Sequence, residues 1–504
     1  MQQLVALLLY ADDIVLLARS AAELQRALDV AAEYARKWRF EFNSRKSNVV
    51  VVAERPRREA ALQLSWTLGG HALAVVDEYR YLGLEFGHAH KLTRWRSAVG
   101  RLMREARTRA NHLLWAAGYG RGLQPSAAVA LWRAYVQPKL DYGACLWSVR
   151  VSSAAATRLQ QLFSDFARGL LGCPQSTPAA FLRGELGEKS QQARRDELTL
   201  VYWWHLVHAK QSRLLSRLFW YRLNSARGRT DDTDRTGSFS WCLDVRAVFN
   251  RYGLGHYWVD PEHNMWVLEG GRRRPIDREE WKDIVHAHVR AVDEQQWRDE
   301  VAGLPSLAAY TRFKPRPAIE KYVDDRACPA AAHLLARLRS NTESLNAVLA
   351  TRACAPALAA CPLCGADEET VEHFLVACPA LDQQRAQLAA TLAARLGQID
   401  GAVLGRALAL LRSNEAADAL SFALGPLWAL GLQPPPCPSR RERVLQSIRL
   451  SAADDRTRAA LEAQSRHGKF VRAIVERTTR NYVHACWRFR LAAKRAVQEP
   501  QLFI

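Results

Sequence analysis

"LLLYADDIVLLARS", Leu7 to Ser20, places two adjacent acids, Asp12 and Asp13, inside an otherwise apolar run. Ionised carboxylates are costly to bury unless a partner charge or a metal offsets the loss of hydration. The flanking residues read as two apolar strands joined by a tight Ala-Asp-Asp turn, a buried hairpin. Mg²⁺ and Mn²⁺ prefer oxygen ligands and commonly take one or two carboxylates together with substrate phosphates. A pair of such ions can clamp the attacking and leaving oxygens of phosphoryl transfer. The dipeptide alone leaves two readings open, because an ordinary Asp-rich turn with both acids in water has the same spelling.

Working outward, Ser20 and Glu23 have the spacing of a capping box. The helix it opens repeats Leu24, Leu28, Ala31, Ala35 and Trp38 at three- and four-residue intervals, which predicts one apolar face. "FEFN" (40–43) and "SNVVVVA" (47–53) read as short strands around an "RKS" loop. "LSWTLGGHALAVV" reads as a hairpin turning at Gly69-Gly70, and "YRYLGLEF" (79–86) as a last strand. The order β-β-α-β-β-β-β predicts an antiparallel sheet with at least one packed helix, an α+β unit.

"YADD" between apolar strands, then the helix, then "EFNSRKSNVVVV" and "YRYLGLEF", resembles the second half of the reverse transcriptase palm. It is most like the palm of non-LTR (LINE-type) retrotransposons. The resemblance implies that Asp12 is a metal ligand assisted by Asp13, in the motif called C. It makes "FNSRKS" motif D, with Asn43 and Lys46 at matching positions and Lys46 near the incoming triphosphate as a proton donor to pyrophosphate. A solvated loop cation is the other reading of Lys46. Tyr81, Leu82 and Gly83 become motif E, the primer grip. The implied reaction is RNA-directed DNA synthesis by nucleotidyl transfer with Mg²⁺ (or Mn²⁺), acting on dNTPs, an RNA template and a DNA primer or target, in the nucleus.

One departure bears on activity. In that family a further Asp (motif A), the fingers and motif B precede motif C, whereas nine residues precede Tyr10. The expectation is therefore a C-terminal portion, inactive alone, since shared positioning fails when one element goes. The alternative is a non-enzymatic RNA- or DNA-binding protein. "KYVDDRACP" repeats the YxDD spelling at Tyr322 to Asp325, but Glu320, Lys321, Arg326 and Pro329 surround it and no hairpin is expected there.

A second motif is Cys361-x2-Cys364-x8-His373-x4-Cys378. Three thiolates and an imidazole suit a closed tetrahedral structural Zn²⁺ site, with Phe374 and Leu375 as the small core that it organises. Four reduced side chains on ordinary helices are the alternative, and Cys354 is a more distant substitute ligand. The segment also resembles the zinc-binding domain downstream of LINE-type polymerases, and "LWRAYVQPKLDYGACLWS" resembles the family's thumb.

These readings divide the chain into a partial palm (1–90), a helical thumb and connection (91–224), and a variable linker or insertion with a helix (225–330). A zinc-binding domain (331–385), a helical segment (386–432) and a basic helical tail (433–504) follow, the last after a stiff "QPPPCPS" break. Helices are expected at Leu92 to Leu223, Asp277 to Val301 and Ala331 to Thr351, and the turn-rich residues 225–275 are expected to form the linker.

Over 504 residues the net charge is +20, and residues 439–496 hold 15 Lys/Arg against 5 Asp/Glu. Such a surplus favours polyanionic partners, although an Arg-rich composition can also follow the base composition of a gene. No run approaches the ~20 apolar residues of a membrane span, and the opening residues lack a basic secretory region, which points to an intracellular protein. The ten cysteines do not form a disulfide framework. His205, His208, His286 and His288 read as partly buried helix residues, and Trp203, Trp204, Trp220, Trp241 and Trp258 as core. No P-loop, Rossmann glycine pattern or nucleophile elbow occurs.

Overall fold

Leu7–Tyr10 (β1) and Asp13–Leu16 (β2) pair antiparallel, with Leu9 opposite Ile14 and Tyr10 opposite Asp13. Ala11 and Asp12 are thus the two turn residues, and Ala11 takes a left-handed φ of 53°. The computed structural model describes residues 7–52, 59, 62–87, 95–117, 123–227, 240–269, 272–324, 329–365, 368–413, 415–432 and 455–498. The hairpin forms as the two apolar strands and their turn predict, but it is not buried: Leu9 and Tyr10 are each 63% exposed. Among the described residues no third strand pairs with it, so its apolar side chains lack a sheet to cover them.

Helix α1 (Ala21–Trp38) starts where Ser20 Oγ accepts from the Glu23 N–H at 3.2 Å. The Glu23 carboxylate returns to the N–H of Arg19 at 2.8 Å, one residue before the cap. Leu28 is buried in the core shared with the sheet and Ala35 is buried as well, whereas Trp38, expected on the same face, is 60% exposed. It lies in the last turn, and its ring sits 6.1 Å from that of Tyr34.

The sheet is mixed rather than antiparallel. Asn48–Val50 (β3) runs parallel to His71–Val76 (β5), and Trp66–Leu68 (β4) pairs antiparallel with β5. The reason is topological: β4 intervenes, so β3 reaches β5 by a crossover. Gly69 and Gly70 both take positive φ at the hairpin turn. Leu28, Val49, Trp66, Leu68 and Leu73 form the core of this unit. "FEFN" forms no strand, because Arg39 turns the chain with φ 58° and Phe40 donates its N–H to Ala35 O to close the helix. "YRYLGLEF" is two strands, not one: Glu78–Tyr81 (β6) and Leu84–Gly87 (β7), joined at Leu82-Gly83.

The rest is helical, in more segments than the sequence suggests, including Arg96–Ala117, Ser153–Leu171, Ala179–Leu186, Gln191–Val207 and Arg278–Ala302. One large core runs through Leu102, Trp132, Phe163, Phe181, Trp297, Leu335, Phe374 and Val475. A second surrounds Trp203, Phe249, Trp258 and Trp281. Residues 240–269, expected as linker, contribute to the second core through Val245, Phe249, Leu254 and Met265. Polar turn spelling at 228–239, outside the described residues, masked an apolar repeat in the helix Trp241–Arg251. The stretch Ala331 to Thr351 divides into Pro329–Arg339 and Asn346–Arg352. The "QPPPCPS" break lies outside the described residues. The Asp455–Gln498 helix buries Val471, Val475, Tyr482, Val483 and Cys486 along one side. Among the described residues no helix is long and apolar enough to cross a membrane.

Candidate functional site

Asp12 stands at the hairpin tip and Asp13 opens β2, both exposed. Among the described residues neither makes a hydrogen bond or ion pair with Lys46 or with Tyr81–Gly83, and no third acid or imidazole joins them in a metal-sized group. The tight turn presents the two carboxylates to solvent as donors for one or two positions of an oxygen-loving cation.

Lys46 sits in a turn that Asn43 builds. Its N–H donates to Asn43 O at 3.0 Å and to Asn43 Oδ1 at 3.2 Å. The Ser47 hydroxyl donates to Asn43 O at 3.0 Å, and Tyr79 OH donates to Lys46 O at 3.0 Å. Tyr79 thereby ties this turn to β6, leaving the Lys46 side chain exposed.

At the β6–β7 turn Leu82 and Gly83 both have left-handed φ, 47° and 80°. Both turn carbonyls are engaged: Tyr142 OH donates to Leu82 O, and Arg101 Nη2 donates to Gly83 O. Arg101 also pairs with Glu85, and with Glu105 at 2.7 Å. Lys139, then Arg101, hold the Glu105 carboxyl down at about 2. A Cβ on Gly83 would sit 3.0 Å from the Tyr142 ring. No periodic signal marks this clamp, since Arg101 lies on the Arg96–Ala117 helix and Tyr142 in the turn after the Gln137–Asp141 helix. Tyr142 did lie inside the quoted thumb-like stretch.

The Cys/His residues converge. One donor atom each from Cys361, Cys364, His373 and Cys378 lies within 4.8 Å of the others. Cys361 Sγ is 3.9 Å from Cys378 Sγ, and Cys364 Sγ is 3.3 Å from His373 Nε2. Tetrahedral zinc with bonds of ~2.0–2.3 Å sets its donors roughly 3.5–3.8 Å apart. The S₃N set therefore fits zinc. Gly365, with φ 72°, turns the chain so that its N–H reaches Cys361 O at 2.8 Å. The wide turn His373–Ala377 brings Cys378 N–H to His373 O at 2.7 Å. Burial pushes the Cys361 thiol up and that of Cys378 to about 12. A divalent cation reverses that preference by stabilising thiolate. Phe374 and Leu375 are buried beneath the cluster, and Cys354 is exposed outside it.

The long C-terminal helix is fastened to this cluster. Arg490 pairs with the fully buried Glu369, which also accepts the Asn346 N–H at 2.7 Å. Tyr482 OH donates to Leu375 O.

The remaining candidates are structural. Trp203 and Trp258 are buried, and Trp204, Trp220 and Trp241 pack against the same core. His208 stacks on Trp204, whereas His205, His286 and His288 are exposed rather than partly buried. His286 bonds Glu197 at 3.1 Å, and His288 bonds Tyr252 O at 3.0 Å. Tyr322 is buried with its OH on Glu185, in a single helical turn rather than a hairpin.

Residues 2–86 match the family model for reverse transcriptase (RNA-dependent DNA polymerase). This part of the chain is similar to reverse transcriptase domains, a polymerase family whose members bind nucleic-acid template and primer and generally use divalent metals. No curated protein and no solved structure matches the chain significantly.

Proposed function

We propose that the chain is a LINE-type polymerase portion in which the β1–β2 hairpin contributes to a Mg²⁺-dependent nucleotidyl-transfer site. Asp12 is the metal ligand and Asp13 assists it. Lys46 serves the triphosphate, and Tyr81, Leu82 and Gly83 support the primer strand. The observation that carries this reading is the family match over the segment containing the hairpin and both following turns. Residues 1–90 act as palm, 91–224 as thumb and connection, 225–330 as an insertion, and 331–385 as a zinc-stabilised module. Residues 386–432 and 433–504 form the helical continuation and basic tail, and the nucleus is the site of action.

Two carboxylates do not complete a two-metal site, and a further acid is needed to place both ions. The 504-residue chain incubated with Mg²⁺, dNTPs and an RNA template with annealed DNA primer is therefore expected to give no extension. Extension that Asp12→Ala abolishes would overturn this.

A second reading is nucleic-acid binding without catalysis. The net charge of +20 and the exposed Lys469, Arg477, Arg488 and Arg495 on the C-terminal helix favour it. Affinity for RNA should then fall steeply with salt, because phosphate contacts release counterions. Salt-independent affinity would count against it.

A further inference from the structure

Beside the β6–β7 hairpin, the Arg96–Ala117 helix and the start of the Ser153–Leu171 helix enclose a cleft of about 750 Å³. That is within the ~300–1,000 Å³ typical of ligand sites. Five arginines line it, Arg96, Arg101, Arg104, Arg150 and Arg158, against a single acid, Glu85. Arg101 is occupied by Glu85 and Arg150 by Asp244. Arg96, Arg104 and Arg158 are exposed, and among the described residues none of them has an acidic partner.

Two further features point to an anion. Apolar side chains give the cleft a floor, with Trp95 only 7% exposed and Val99 and Met103 beside it, so an anion there would be partly shielded from water. Ser152, Ala154 and Ala155 also line it, at the positive end of a 19-residue helix. Three cations with no acidic partner among the described residues and a helix N-terminus surround one space. Bidentate guanidinium groups suit phosphate oxygens.

We infer that this cleft holds phosphodiester groups of a bound nucleic-acid strand, with Arg96, Arg104 and Arg158 as the phosphate contacts. The assignment rests on the nucleic-acid reading above and gives it a location distinct from the basic C-terminal helix. It needs no base contact, so it predicts affinity without sequence preference.

The test uses the full chain and a labelled single-stranded RNA of mixed sequence. Arg104→Glu/Arg158→Glu is compared with Arg217→Glu/Arg222→Glu, two exposed arginines of the Leu214–Arg227 helix carrying the same charge change. The cleft variant should bind about 10-fold or more weakly, and its log–log salt slope should fall by roughly 1.4 for two lost single-strand contacts. The matched variant should change less than about threefold, as expected for a remote change in net charge. Arg104→Gln/Arg158→Gln, which removes charge without reversing it, should reproduce the slope change. Circular dichroism and melting confirm that each variant is folded. Equal losses in the two Glu variants would overturn the cleft assignment while leaving RNA binding intact. Failure of the unaltered chain to bind RNA would overturn the nucleic-acid reading itself, and the cleft with it. A cleft-dependent rise in melting temperature with inorganic pyrophosphate at matched ionic strength, with RNA affinity unchanged in the variant, would assign the site to a free phosphate compound instead.

Discussion

Gly83 carries two constraints at once. Its φ of 80° belongs to the left-handed region, and a Cβ would press on the Tyr142 ring. Left-handed backbone costs a residue with a Cβ about 1–2 kcal/mol. Gly83→Ala should therefore lower unfolding free energy in urea by at least that amount. Tyr142→Phe, which removes only the donor to Leu82 O, should cost about 1 kcal/mol. Equal stability of Gly83→Ala and the unaltered chain would show that the hairpin is not held as described. Other residues were legible in advance because their signal is local. Ser20 and Glu23 cap a helix three residues apart, and Gly69-Gly70 sets a turn without outside help. Arg101 and Tyr142 were not legible, since their partners are carbonyls 18 and 60 residues away. Trp38 obeyed the helical period but, as the last residue of its helix, stays exposed.

At the scale of elements, periodicity predicted helices well and strand partners poorly. The Asp455–Gln498 helix was expected as a basic tail for nucleic acid, yet one of its sides is core. On that side Glu476 is buried, and burial, reinforced by the like charge of Glu320, raises its pKa from 4.5 to about 7. Lys321, Arg480 and Arg339 act in the opposite sense but do not cancel the rise. An acid with a raised native pKa binds more protons folded than unfolded between those two values. Stability from this group is therefore full below pH 4.5 and is lost as pH rises toward 7. The loss is on the order of 3 kcal/mol at most. Urea denaturation across pH 4.5 to 8 should show that decline in the unaltered chain, and Glu476→Gln should flatten it and be the more stable form at pH 8. A Gln variant with an unchanged pH profile would refute the assignment.

For the whole molecule, the Cys/His cluster and the C-terminal helix behave as one assembly. The four donors were readable from spacing alone, because a short metal loop is a local object. What spacing did not reveal is that Glu369, inside that loop, is the buried partner of Arg490, 121 residues on. Tyr482 adds a second fastening at Leu375 O. If zinc orders the loop, it also orders the surface on which the helix lies. The purified chain should then contain about one equivalent of zinc, as a closed four-donor site implies. Cys361→Ser, or a strong chelator, should remove the metal, lower the melting temperature, and open the 455–498 helix to protease. Cys354→Ser should do none of these, since Cys354 lies outside the donor group. Arg490→Gln separates metal from docking: it leaves all four donors in place but strands the Glu369 charge, at a cost of about 3–5 kcal/mol. It should keep its zinc while exposing the helix to cleavage. Zinc bound equally by Cys361→Ser, or a helix as resistant in Arg490→Gln as in the unaltered chain, would break the link between the metal loop and the end of the chain.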